Sequence, residues 1–169
     1  KMADLTTSYL GLKLKNPLIV GASNLVTDLN TLQKLEDAGA AAIVYKSLFE
    51  EQIQLERMQH DDQLEEYNER HAEMVSLFPR IQHAGPEQHL LNLRKAVEKV
   101  SIPVIASLNC LYDVTWTEYA EKLAETGVAA LELNFYHTPK DVKKAGKDIT
   151  DQQIAVLKKV KQSVKIPVS

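Results

Sequence analysis

The sequence predicts an α/β fold, specifically the N-terminal half of a parallel (β/α)₈ TIM barrel. Short apolar segments alternate with amphipathic helical segments along most of the 169 residues, a pattern typical of a parallel sheet covered by helices. A doubly wound sheet fits this alternation too, but the turn at 21–26 lacks the Gly-x-Gly-x-x-Gly of a dinucleotide-binding fold. A whole barrel needs roughly 250 residues, so residues 1–169 would form about half of one domain.

The first elements are a hairpin and two strands that flank a helix. Loose alternation over residues 5–14 predicts the hairpin, and Leu18-Ile19-Val20 predicts a short buried strand. Helical spacing of leucines over 28–38 predicts a helix that ends at Gly39 as a C-cap glycine. The apolar run at 41–45 predicts the second buried strand.

The segment from about 50 to 89 interrupts this alternation. It is acidic and polar, and it contains four of the five histidines. Long connections in compact domains usually serve function or are mobile. The sequence therefore predicts an excursion on one face of the domain, inserted between the second strand and the second helix.

After the excursion the alternation of strands and helices resumes. The apolar spacing predicts a helix over 87–100, a strand over 103–108, a helix over 115–126, a strand over 129–133, a helix over 150–164 and a strand starting at 166. We expect the helix at 115–126 to be N-capped by Asp113 or Thr115 and closed by Gly127. The four strands up to residue 133 should be parallel neighbours.

Composition excludes several functional classes. The formal net charge of −3 gives no basic surface for nucleic acid. No apolar run approaches the ~20 residues of a membrane-spanning helix. Cys110 is the single cysteine, which fits a reducing compartment and a cytoplasmic protein. The histidines lack metal-ligand spacing, so no metal site is predicted.

Small or polar residues follow four of the predicted strands. They are Ala22 and Ser23, Lys46 and Ser47, Asn109, and Asn134. In a barrel these strand ends share the C-terminal face, where active sites are built. A lysine that holds negative charge, with carboxamides that donate and accept hydrogen bonds, suits a flat heterocycle. For any single residue, the alternative that polarity simply begins where a strand ends stays open.

These residues lie within motifs that resemble the dihydroorotate dehydrogenases. The motifs are Leu10-Gly-Leu-Lys-Leu-Lys-Asn-Pro-Leu18, Gly21-Ala-Ser23, Lys46-Ser47 and Leu131-Glu-Leu-Asn134. The run from Ala106 to Trp116 also resembles the flavin domain of the dihydropyrimidine dehydrogenases. The resemblance covers nearly the whole chain apart from the excursion.

The resemblance implies an FMN-dependent oxidoreductase of pyrimidine biosynthesis that acts on CH–CH bonds. The implied cofactor-binding residues are Ala22, Ser23, Lys46, Ser47, Asn109 and Asn134. Lys46 would also be catalytic, because it would sit beside the ring edge that becomes anionic on reduction. In the implied reaction a base takes the C5 proton of a dihydropyrimidine while hydride passes from C6 to the flavin.

The chain departs from the family where the catalytic base is expected. The family usually has Leu-Ser-Cys-Pro-Asn after the residue that matches Asn134, and this chain has Phe135-Tyr-His-Thr-Pro139. His137 occupies the position of the base, and an unperturbed imidazole titrates near neutrality. His137 is therefore the candidate base, with a loop residue of no role as the open alternative. The substrate loop of the family is absent from the excursion.

Two functions are carried forward from the sequence. The first is the flavin-dependent dehydrogenase, with a small-molecule substrate and no nucleic-acid or membrane partner; a homodimer stays open. The second is a non-catalytic barrel paralogue that binds a small molecule or a protein partner. Barrels of this kind often hold the cofactor phosphate in loops after strands 7 and 8. We therefore expect the chain alone to be inactive.

Overall fold

The structure is a computed structural model that describes residues 3–58, 85–136 and 143–169. Its strands are β1 (Thr7–Tyr9), β2 (Leu12–Leu14), β3 (Ile19–Val20), β4 (Ala42–Val44), β5 (Leu48–Phe49), β6 (Val104–Asn109) and β7 (Ala130–Leu133). Its helices are α1 (Leu29–Asp37), α2 (residues 50–58), α3 (Pro86–Lys99), α4 (Asp113–Ala124) and α5 (Gly146–Ser163). A short 3₁₀ helix, Asn24–Thr27, follows β3.

The predicted parallel neighbours are confirmed. β3 pairs with β4, β4 with β6 and β6 with β7, all in parallel register. Val168 forms a parallel bridge with Leu131, on the far side of β7 from β6. β3, β4, β6 and β7 thus lie side by side in chain order, without the reversal that marks a doubly wound sheet. The part of the chain that the structure describes closes no barrel.

The helices lie on one face of the sheet. Buried residues of all five helices join one apolar cluster with Ile43, Leu108 and Leu131 of the strands. A second, smaller cluster on the opposite face contains Ala42, Ile105 and other strand residues, covered by the β1–β2 hairpin. We call this opposite side of the sheet the inner face. A sheet with helices on one face only is typical of a barrel wall.

The predicted ends of α1 are confirmed. The Asp28 carboxylate accepts a hydrogen bond from the backbone N–H of Thr31 at 2.7 Å, as an N-cap does. Gly39 follows the helix with φ of +105°. That backbone conformation is strained for residues with a Cβ, so glycine ends the helix at little cost.

The predicted cap of α4 is wrong. The helix begins at Asp113, and its N-cap residue is Tyr112, whose side chain makes no capping hydrogen bond. The Thr115 hydroxyl instead donates to the Glu50 carboxylate at 3.2 Å. The Thr115 hydroxyl, which the sequence suggests as a cap, therefore binds the buried carboxylate of Glu50 in α2.

Other boundaries shift by a few residues. α5 begins at Gly146 rather than at residue 150, and β5, which pairs with the end of β6, has no sequence-based counterpart. The start of the excursion is helical as α2. Residues 59–84 of the excursion, and His137, lie outside the described residues, and its last residues begin α3. Across the described ranges, no helix is long and apolar enough to cross a membrane.

Candidate functional site

Two rows of polar side chains cross the inner face near the carboxyl ends of the strands. Side chains alternate between the two faces along a strand. Leu131 and Leu133 of β7 face the helices, so Glu132 and Asn134 point to the inner face. Ser107 of β6 lies opposite Glu132 of β7, and we call these two residues, together with Ser47 beside Ser107, the lower row. One step nearer the strand ends, Asn109 and Asn134 form the upper row.

The lower row is joined by hydrogen bonds. Ser47 and Ser107 have hydroxyl oxygens 2.8 Å apart, and the Ser107 hydroxyl donates to Glu132 Oε1 at 2.8 Å. An ionised carboxylate only accepts, and each hydroxyl has one proton. Ser107 therefore donates to Glu132, and Ser47 donates to Ser107. Both serines are buried, whereas Glu132 is half-buried.

Lys46 connects the end of β4 to the turn after β3. Its Nζ donates to Asn24 Oδ1 at 2.9 Å. Gly21 and Ala22 of the same turn are exposed, and the space beside Gly21 is open, with no atom within 4 Å of an added Cβ. A cation and an accessible backbone therefore lie at the carboxyl edge of β3 and β4.

Asn109 holds the end of β7 in place. It is 4% exposed, and its Nδ2 donates to the carbonyl oxygens of Asn134 and Tyr136 at 2.6 and 3.2 Å. Both Nδ2 protons are engaged in these bonds, so Asn109 can offer a ligand only its side-chain oxygen, as an acceptor. The Asn134 side chain is exposed. The structure thus brings the two asparagines together, with Asn134 the more accessible.

His89 of α3 lies behind Lys46, on the helix side of the sheet. Its ring meets Tyr45 edge-on, with centroids 5.5 Å apart. Burial, and to a lesser degree the charge of Lys46, lower the pKa of His89 to about 4. Its Nε2 is buried and, within the described ranges, makes no hydrogen bond. At neutral pH this imidazole is uncharged.

Glu50 is a buried carboxylate beside the loop after β6. It is 2% exposed and accepts hydrogen bonds from the Leu111 N–H at 3.0 Å and from the Thr115 hydroxyl. Burial, and then the charge of Glu50, raise the pKa of the neighbouring Cys110 thiol. The thiol stays protonated, so Cys110 is a poor nucleophile. Glu50 ties α2 to the start of α4.

A cleft of about 240 Å³ opens near the ends of β6 and β7, between α4 and α5. Trp116 and Phe135, whose rings are 4.8 Å apart, line it together with Tyr136 and Lys144. Trp116 and Phe135 belong to the apolar cluster on the helix side. The cleft therefore opens on the helix side, and it adjoins the upper row at Tyr136, whose carbonyl oxygen accepts a hydrogen bond from Asn109.

Sequence reasoning missed Ser107, Glu132 and Glu50. The first two had a signal, because Ala106-Ser107-Leu108 and Leu131-Glu132-Leu133 each place a polar residue between apolar ones. In a strand covered by helices on one side, such a residue faces the other side. Glu50 gave no sequence signal for its contacts with the loop after β6 and with α4, since Leu111 and Thr115 lie 61 and 65 residues away. Among the residues described, no group of three or more His, Cys, Asp or Glu can hold a metal ion.

Comparison with known proteins gives one curated relative and a structural neighbour. No family model matches the chain. The catalytic subunit of dihydroorotate dehydrogenase B (NAD(+)) from Thermoplasma volcanium is 30% identical over 99% of this chain and 53% of its own length. The chain thus spans about half of that relative. The resemblance to the dihydroorotate dehydrogenases indicated by the sequence motifs is confirmed.

The structural neighbour shows the fold alone. Dihydrodipicolinate synthase DapA-2 from Bacillus anthracis superposes with a TM-score of 0.52 and 18% identity, over 89% of this chain and 44% of the neighbour. The likeness agrees with an α/β fold built on a parallel sheet.

Proposed function

We propose, from the premise that this chain is dihydroorotate dehydrogenase-like, that the protein containing it is an FMN-dependent oxidoreductase acting on CH–CH bonds. The observation that carries the proposal is the convergence of Lys46, Ser47, Asn109 and Asn134 at one edge of a parallel sheet. The curated relative is a catalytic subunit, which favours an enzyme over a non-catalytic paralogue.

We further propose that the chain is the N-terminal half of a (β/α)₈ barrel. Its strands pair in chain order, and its helices cover one face only. In a barrel, the carboxyl ends of the strands form the active-site face. That face is where the candidate residues lie.

The residues present fit a flat heterocycle that can become negatively charged, such as the flavin ring. The open space beside Gly21 lets a planar ring approach the backbone of residues 21–23. Lys46 supplies a cation beside it, and the exposed Asn134 amide can donate and accept. FMN, when bound, would supply the hydride acceptor. Lys46 would lower the free energy of the negative charge that the ring gains.

We propose a dihydropyrimidine-type ring as the substrate and His137 as the base. The name of the curated relative includes dihydroorotate, a ring of this class. His137 follows the strand-end Asn134 by three residues. A neutral imidazole there would take a proton from carbon while hydride leaves the adjacent carbon.

Flavin binding by the full-length protein tests the proposed function. Purified protein should bind FMN, and Lys46→Ala should weaken binding or slow reduction roughly tenfold or more, since a hydrogen bond to a charged group contributes about 1.5–3 kcal/mol. Lys147→Ala, on the exposed side of α5, is the matched control and should bind FMN normally. Wild-type protein that stays colourless with excess FMN contradicts the proposal.

A further inference from the structure

Lys46 is held from the neighbouring strand by Asn24. Its Nζ donates to Asn24 Oδ1 at 2.9 Å, although the two residues are 22 positions apart in the chain. Lys46 follows β4, Asn24 follows β3, and these two strands pair in parallel. A free lysine side chain samples many rotamers. The hydrogen bond selects those in which the ammonium lies at the carboxyl edge of the two strands.

The turn that carries Asn24 is fixed to the body of the protein. Asn24 begins the 3₁₀ helix, and the Thr27 hydroxyl donates to its carbonyl oxygen at 2.8 Å. Val26 in the same turn is fully buried and belongs to the apolar cluster on the helix side. The Asn24 backbone is therefore anchored, while its side chain is exposed toward solvent. An anchored acceptor can determine the direction of a long, flexible side chain.

The acceptor that holds the lysine is uncharged. A carboxamide oxygen accepts a hydrogen bond without adding charge, whereas an aspartate at the same position would form an ion pair with the lysine and cancel its charge. An ammonium has three N–H donors, and the bond to Asn24 occupies one of them. Asn24 thus orients the Lys46 ammonium and leaves its positive charge available to a ligand.

We propose that Asn24 is a positioning residue that holds the Lys46 ammonium at the carboxyl edge of β3 and β4 and thereby raises the reduction potential of the bound flavin. The inference rests on the proposed function, because it takes FMN as the ligand. An oriented cation lowers the free energy of the negatively charged, reduced ring more than that of the neutral, oxidised ring. Asn24 acts through the lysine, so its effect on the potential disappears when the lysine is absent.

The reduction potential of FMN bound to the full-length protein, measured at saturating flavin, tests the proposal. Asn24→Asp keeps an oxygen acceptor but adds a negative charge beside Nζ. The affinity for reduced FMN relative to oxidised FMN should therefore fall by roughly tenfold or more, which is a drop of about 30 mV for each tenfold in a two-electron couple. Asn24→Ala removes the acceptor and should lower the same ratio by roughly three- to tenfold.

Asn92 of α3 supplies the matched control, because its Oδ1 accepts a hydrogen bond from Gln88 Nε2 at 2.9 Å rather than from a lysine. Asn92→Asp and Asn92→Ala should keep the wild-type potential. In a Lys46→Ala protein, adding Asn24→Ala should leave the potential unchanged, because the two residues form one interacting pair. The Asn24 side chain is exposed, so neither substitution removes a buried contact and both variants should fold.

Two outcomes overturn the Asn24 proposal while the proposed function stands. One is a wild-type potential in both Asn24→Asp and Asn24→Ala. The other is an Asn24→Ala effect of equal size with and without Lys46, which would show that Asn24 does not act through the lysine. Wild-type protein that binds no flavin contradicts the proposed function itself.

Discussion

The two faces of the parallel sheet are built from the same strands but differ in chemistry. On the helix side, Ile43, Leu108 and Leu131 are fully buried and pack against the helices. On the inner face, the residues next to them along β6 and β7 are polar near the carboxyl edge, as at Ser107 and Glu132. Nearer the amino ends, the inner face is apolar again and is covered by the hairpin.

Within a single strand, the residues on the helix side contribute most to stability, and the polar residues on the inner face are the candidates for function. Apolar burial contributes about 25 cal/mol for each Å² removed from water, and most of that burial is on the helix side. Polar groups on the inner face add little net stability even when they are paired. Their placement at the carboxyl edge agrees with the ligand-binding face that we propose. Substitutions on the two faces should therefore have different effects.

The largest expected effect concerns His137, which follows the inner-face Asn134. His137→Ala should slow the reductive half-reaction by roughly 10²–10⁴, the usual contribution of one general base, while FMN stays bound. The wild-type rate should rise with pH through one titration near the ordinary histidine pKa of about 6.5. Stopped-flow measurement of flavin reduction across pH checks both statements.

His71→Ala serves as the control for the His137 variant, since His71 lies in the excursion, away from the strand ends in sequence. It should reduce flavin at the wild-type rate. A His137→Ala protein with the wild-type rate and pH profile would show that the base lies elsewhere.

The next effect should appear on the helix side. Leu131→Ala removes a fully buried side chain and should lower the free energy of unfolding by about 2–5 kcal/mol. Leu18, 64% exposed just before β3, is the matched control, and Leu18→Ala should change stability by no more than about 0.5 kcal/mol. Urea unfolding measures both. Equal losses in the two variants would contradict the contrast in burial.

Much of the fold could be predicted because the strands and helices are marked locally. Alternation of apolar runs placed four of the five parallel strands, and glycines marked the ends of two helices, at Gly39 and Gly127. Features set by distant contacts could not be predicted. β5 is two residues long and exists through pairing with β6. The start of α4 depends on Glu50, a residue 65 positions from Thr115.

The candidate site was predictable in part. The expectation that polar residues at the ends of parallel strands lie together identified Lys46 and Asn134. The structure places both at the carboxyl edge of the sheet. The hydrogen-bond partners of the site residues could be identified only from the structure. Asn109 proves to use its amide protons on the backbone of β7. Glu132 is recognised as part of the site only through the hydrogen bonds that link it to Ser107 of β6 and, through Ser107, to Ser47.

The smallest expected effect concerns His89, a polar exception among the apolar contacts of the helix side. The folded protein binds a proton at His89 only near pH 4, whereas the unfolded chain binds it near 6.5. Between these values the unfolded state holds more protons, so stability falls as pH falls. The loss from pH 7 to pH 4 should reach up to about 3 kcal/mol.

Replacing His89 with phenylalanine should remove this loss and complete the apolar layer. His89→Phe keeps the edge-on ring contact with Tyr45 and gives up no hydrogen bond at Nε2, where the described residues make none. At pH 7 the variant should be at least as stable as wild type, because no unpaired Nε2 stays buried. Carboxylates such as Glu36, whose pKa is lowered by the Ser101 hydroxyl, titrate in both proteins and cancel in the difference. Urea unfolding at pH 7, 5.5 and 4 measures that difference, which should grow as the pH falls. A constant difference would show that His89 is protonated in the folded protein as readily as in the unfolded chain.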